Sequence, residues 1–137
     1  LFSTAPSSTI ITTGTSDRVG GSTGQYVCYA WKAVAGVSHF GTYEGTGAEM
    51  TETGLGFTPS FLMIKSIDTT DNWIMYDKFR GFGSSGNTDA AVVYANLNNA
   101  ENPSEVGITV SSGQFVMNNN NGNVNTNNTT YIYAAFA

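Results

Sequence analysis

Apolar and polar positions along this chain alternate over short spans, and no stretch longer than about ten residues keeps the three-to-four-residue spacing of a helix. Runs of β-branched and aromatic residues recur instead, each bounded by Gly, Pro, Asn or Ser. The pattern predicts strands at Thr9–Thr13, Gln25–Ala33 and Ser38–Tyr43. Thr58-Pro59-Ser60 punctuates the start of the next, Phe61–Ile67. Asn72–Phe79 lies one short turn beyond, so these two runs read as a hairpin. Further strands are expected at Ala90–Leu97, Gly107–Ser111, Gln114–Met117 and Thr130–Phe136. Ala95–Glu105 reads as irregular chain with room for one helical turn. About nine short strands predict an all-β fold, an antiparallel sandwich or jelly roll.

A repeat lies inside this pattern. The stretch TIITTGTSDRVGGSTGQYVCYAW aligns without a gap on QFVMNNNNGNVNTNNTTYIYAAF at an offset of 105 residues. Ile10 falls on Phe115, Ile11 on Val116, Val19 on Val124, Tyr26 on Tyr131, Val27 on Ile132, Ala30 on Ala135 and Trp31 on Phe136. Each copy is a short apolar run, a small-polar loop holding one Val, and a Tyr-led run closing on an aromatic. The plainer reading is two independent hairpins of similar composition. The shared register of the lone Val argues for the repeat.

The repeat bears on the asparagine tract. Eight of the eleven residues from Asn118 to Asn128 are Asn, which by composition alone suggests disorder. In register with TGTSDRVGGSTG, the tract reads as an ordered connection instead. Gly adopts positive φ freely and Asn tolerates it best among other residues. Val124 would be its inward anchor. The expected organisation is one β domain over residues 1–137, with 34–137 as the main unit. Residues 1–33 are then the closing hairpin of a preceding repeat unit, or an exchanged segment. A start at Leu1 is expected of a processed product, a fragment or part of something longer.

Composition narrows the function classes. Apolar residues make up 40%, enough to bury a core, while charged residues are only 11% against about 25% in typical soluble domains. The net charge is −5, and Arg18, Lys32, Lys65, Lys78 and Arg80 form no cluster, so no nucleic-acid partner is expected. No apolar run approaches the ~18 residues of a membrane helix. A single Cys28 excludes an internal disulfide, and one Cys with one His leaves a transition-metal site short of ligands. No cofactor or metal is expected.

At Tyr26 to Gly47 the chain reads YVCYAWKAVAGVSHFGTYEGTG. This resembles a domain of unknown function that recurs in bacteriophage structural proteins, especially tail-fibre-like proteins of marine phages. Its pattern Y-x-x-Y-x-[WF]-x-x-V-x-G-x-S-x-F-G-x-Y-x-G-x-G is matched by Tyr26, Tyr29, Trp31, Val34, Gly36, Ser38, Phe40, Gly41, Tyr43, Gly45 and Gly47. The resemblance continues through Gly56, Phe57, Pro59, Phe61 and Lys65, then Asp68, Asn72, Trp73, Asp77, Arg80 and Gly81. VYANLNNAE follows, with Val93 or Tyr94 where members carry Leu. The pattern then takes in Ser112, Gly113 and Phe115, and closes on TYIYAAFA, with Tyr131 and Phe136. His39 departs from it, since members usually have Lys there. The resemblance implies a virion context outside the cell, other virion proteins as partners, and self-association as a trimer or filament. It implies no reaction.

The residues themselves offer little chemistry. His39 is the only His, no G-x-S-x-G elbow accompanies it, and it reads as a surface or interface residue. Asp68 and Asp71 read as turn caps and Arg80 with Asp77 as a strand-end ion pair. A Ca²⁺ site from Asp and Asn oxygens is conceivable, but the spacing fits no EF-hand pattern. Ten acids supply no recognisable glycosidase pair. No enzyme activity is expected. Trp73, Tyr76 and Asp77 are the candidate glycan-binding set, with a host-surface glycan as ligand. Set against that, Trp31 and Trp73 read as core residues, Trp73 on the inner sheet face with Met75. Three functions remain: a tail-fibre or appendage module with a host-surface-binding role, a carbohydrate-binding module, or a subunit of an extracellular filament or capsid decoration.

Overall fold

The structure, a computed structural model, describes residues 4–82, 89–118 and 122–137, and of residues 89 and 104–106 the backbone alone. The first part of the asparagine tract, residues 119–121, lies outside the described residues. The chain divides into two compact units, Leu1–Trp31 and Lys32–Ala137.

The larger unit is all-β, with nine strands among the described residues: β1 (Ser38–Glu44), β2 (Met50–Thr53), β3 (Phe61–Ser66), β4 (Ile74–Asp77), β5 (Asp89–Tyr94), β6 (Asn102–Val106), β7 (Ile108–Ser111), β8 (Gln114–Met117) and β9 (Thr130–Phe136). They form two antiparallel sheets, a six-stranded one in the order β1-β9-β3-β4-β5-β6 and a three-stranded one in the order β2-β8-β7. The inner faces share one core. Leu62, Ile64, Ile74, Tyr76, Val92, Tyr131 and Ala135 of the large sheet meet Ile108, Phe115 and Met117 of the small one. Strict alternation builds this core, since β3 and β9 bury every second residue.

The last strand is central rather than terminal in space. β9 pairs with β1 from Ser38↔Phe136 to Glu44↔Thr130 and with β3 from Phe61↔Phe136 to Ser66↔Tyr131. Tyr131 stacks on Tyr43 with centroids 5.0 Å apart, and Phe115 meets Tyr133 edge-on at 5.2 Å. Gly41 makes room for this packing, because a Cβ there would stand 2.6 Å from the Tyr133 hydroxyl.

The asparagine loop is ordered where it is described. Val124 and Asn125 are buried. Asn125 Oδ1 accepts the Thr46 N–H at 2.9 Å and its Nδ2 donates to the Ala48 carbonyl at 2.6 Å. The Tyr43 hydroxyl donates to the Val124 carbonyl at 2.7 Å, and the Tyr131 hydroxyl accepts the Thr126 N–H at 3.0 Å. Gly45 exchanges backbone bonds with Asn128 and Thr129. A Cβ on Gly45 would sit 2.2 Å from the Thr126 carbonyl oxygen, which is why glycine stands there. Asn128 adopts a φ of 57°, the left-handed conformation that Asn tolerates.

Several expectations are corrected. Thr9–Thr13 and Gln25–Ala33 form no strands, and β2 and β6 arise where none was expected. β6 overlaps the end of the stretch read as irregular, and its Pro103 is tolerated because β6 is a sheet edge. Trp31 is not core; it is 59% exposed. Its repeat partner Phe136 has strands on both sides, whereas the described residues of unit Leu1–Trp31 form no sheet. Trp73 and Met75 lie on the outer face, because Ile74 and Tyr76 take the inner one.

Candidate functional site

β3, β4 and β9 are apolar on both faces, and this sets the most prominent surface of the larger unit. With Leu62, Ile64, Ile74, Tyr76, Tyr131, Tyr133 and Ala135 inward, alternation turns Phe61 and Met63 of β3, Met75 of β4, and Ile132, Ala134 and Phe136 of β9 outward. The register sets them side by side: Ala134 lies between Phe40 and Met63, and Met63 faces Met75. Phe136 contacts Phe40 at 5.8 Å and Phe61 at 6.0 Å between ring centroids. All of these side chains are part-exposed. An antiparallel sheet with one wet face normally turns polar residues outward. Here apolar residues run across β1, β9, β3 and β4, the form of a surface that meets a partner. The signal was legible in FLMIKS, NWIMYD and TYIYAAF, whose apolar residues fall on both parities.

At one end of this face, Met63, Trp73, Ala95 and Asn96 line an open hollow of about 310 Å³. Asn96 frames it, accepting the Trp73 N–H at 3.0 Å through Oδ1 and donating to Asn72 Oδ1 at 2.9 Å through Nδ2. Of the expected glycan-binding set, only Trp73 belongs here. Tyr76 is fully buried on the opposite face and reaches no surface ligand. Asp77 is committed elsewhere: its Oδ1 accepts the Phe79 N–H at 2.9 Å and its Oδ2 pairs with Arg80. Arg80 also binds Glu101, at 2.6 Å, so the strand-end ion pair extends to three groups. This network holds the turn Lys78–Arg80, which projects Phe79 at 89% exposure, a residue that sequence reasoning did not single out.

His39 comes together with two residues distant in sequence. Its Nδ1 lies 3.0 Å from the Tyr133 hydroxyl, which donates to Glu52 Oε1 at 3.2 Å. Burial, and next the Glu52 carboxylate, push the Tyr133 phenol above its ordinary range, so it stays a neutral hydrogen-bond donor. The chain His39–Tyr133–Glu52 ties β1 and β9 to β2 and bridges the two sheets. Ser38 does not join it, since its hydroxyl donates to the Lys32 carbonyl at 2.9 Å. Among the expected turn caps, Asp68 instead accepts the Thr130 N–H at 2.6 Å and anchors the start of β9, while Asp71 accepts from the Thr69 hydroxyl. Among the described residues no three His, Cys, Asp or Glu side chains gather as a metal site, and no helix is long and apolar enough to cross a membrane.

Comparison with known proteins places the chain in one family. The family described as "Domain of unknown function (DUF7483)" matches residues 1–137, and the chain belongs to it. No curated protein and no solved structure matches the chain.

Proposed function

We propose that this member of the DUF7483 family is a structural module of a virion appendage, of the tail-fibre kind. It builds the appendage by self-association and presents loops to a host surface. The observation that carries this reading is the apolar outer face of the six-stranded sheet. Phe40, Phe61, Met63, Met75, Ala134 and Phe136 form one continuous strip there. Covering it with copies of itself removes apolar surface from water at roughly 25 cal/mol per Å². Low overall charge supports the same reading, because packed subunits bury neutral rims at less cost than charged ones. The virion setting rests on the sequence resemblance. A filament subunit or capsid decoration would use the same face and differ in whether the contact closes into a ring or runs on as a polymer.

Light scattering coupled to size-exclusion chromatography tests the reading. The chain should elute above its monomer mass of 14.5 kDa, and Met63→Lys should return it to that mass while the β circular-dichroism signal survives. A Lys introduced at position 63 can lift its charge to solvent in the monomer but not in a closed contact.

A second reading, carbohydrate binding, is favoured by the hollow at Trp73. A part-exposed indole beside two asparagine amides offers a stacking surface and hydrogen-bonding groups for a sugar. Binding on a glycan array that disappears in Trp73→Ala with the fold intact would support it. Absence of binding to any glycan would remove it.

A further inference from the structure

The larger unit closes with β8, the asparagine loop and β9, and residues 9–31 repeat that stretch in sequence while forming no sheet among the described residues. The likeness is conformational as well as sequential. The Gly21 N–H donates to the Tyr26 hydroxyl at 3.0 Å, and at the offset of 105 the Thr126 N–H donates to the Tyr131 hydroxyl at 3.0 Å. The turns at 17–20 and 22–23 overlay those at 122–124 and 127–128, the first being one residue longer. Yet the positions that the second copy buries are open in the first. Ile10 is 62% exposed where Phe115 is at 0%, and Tyr26 is 43% exposed where Tyr131 is at 0%. Cys28 is exposed where Tyr133 is buried.

A cavity marks what is missing. Arg18, Val19, Tyr26, Val27 and Cys28 line a hollow of about 290 Å³ within the first unit. Their repeat partners include Val124 and Tyr131, and in the larger unit Tyr43 packs on both. Its ring stacks on Tyr131 at 5.0 Å and its hydroxyl donates to the Val124 carbonyl at 2.7 Å. The hollow therefore lies over the groups that a tyrosine at the Tyr43 position would cover.

We propose that residues 9–31 are the closing β8–loop–β9 element of a second body of this fold, one that has β1–β7 but no β8 and β9 of its own. The hollow at Val19 and Tyr26 receives that body's tyrosine at the Tyr43 position. The chain's own larger unit is not the occupant, because its slot is filled by its own β8 and β9, each paired on both sides. The period identifies the source as a segment joined ahead of the hairpin. The offset of 105 is one short of the 106 residues of the unit Lys32–Ala137, and Ser8 aligns with Gly113, so a β1–β7 segment runs in frame into Thr9. Successive bodies would then interlock along one polypeptide, as a fibre-building array requires.

The test joins residues 32–113 directly ahead of residue 9 of the chain. Cys28 is the only thiol in the product, so its reaction with a disulfide reagent reports the slot directly. The rate should fall roughly a hundredfold or more against the original chain, because a buried thiol reacts only through local opening. In a control joining residues 32–137 ahead of residue 9, the added body is already closed, and Cys28 should react as in the original chain. An unchanged Cys28 rate in the first fusion, an added segment that stays unfolded, or equal protection in both fusions would each overturn the proposal.

Discussion

Val124 is the apolar anchor of the asparagine loop, and truncating it measures how much the loop's order contributes to stability. Val124 is 1% exposed, between strands that pack on it and a tyrosine that bonds its carbonyl. Val124→Ala removes two carbons from a filled site, worth about 1.6 kcal/mol of transfer free energy. The unfilled space adds up to about 1 kcal/mol, because the pinned backbone on either side cannot collapse into it. The expected loss is about 2–3 kcal/mol. At a urea dependence of about 1.5 kcal/mol/M, the unfolding midpoint falls by roughly 1.5 M. Asn127→Ala, at an exposed position of the same loop, should stay within about 0.5 kcal/mol. Equal, small effects from both substitutions would refute the reasoning and return the tract to a disordered low-complexity segment.

Gly45→Ala should destabilise by about 3 kcal/mol, because its Cβ would meet the Thr126 carbonyl at 2.2 Å and force the loop off β1. Gly122→Ala, with nothing within 4 Å of its Cβ, should be near neutral in the same denaturation assay. Asp68 titrates below its ordinary 3.8 in the folded state, chiefly through the Thr130 N–H hydrogen bond. Because the folded value is the lower one, the stabilisation is complete above pH 3.8 and is lost as pH falls below it. The midpoint gap between the wild type and Asp68→Asn should therefore shrink in acid, and a gap that is constant with pH would contradict this.

How far the fold was legible depended on whether alternation had a single answer. β8 and β9 begin and end where the pattern placed them, because each is a β-branched and aromatic run bounded by turn residues. The β3–β4 hairpin was legible for the same reason. MTET of β2 holds one large apolar residue, and Asn102 and Pro103 open β6, so neither had the composition of a strand. Trp73 was assigned to the wrong face because NWIMYD is apolar on both parities, and only pairing decides between them. Tyr76 followed the same ambiguity in reverse, offered as a surface residue and found in the core. Trp31 was misread for a different reason. Its sequence environment is that of a buried strand, and the sheet it matches lies outside its own unit. The apolar outer face depends on four strands being laid side by side, and no local window contains that information.

Sedimentation equilibrium of the wild-type chain and Met63→Lys across a range of concentrations addresses the self-association claim most directly. The account predicts a wild-type mass that rises to a multiple of 14.5 kDa and a variant that remains at 14.5 kDa throughout. A wild-type chain that stays at 14.5 kDa at every concentration would contradict it.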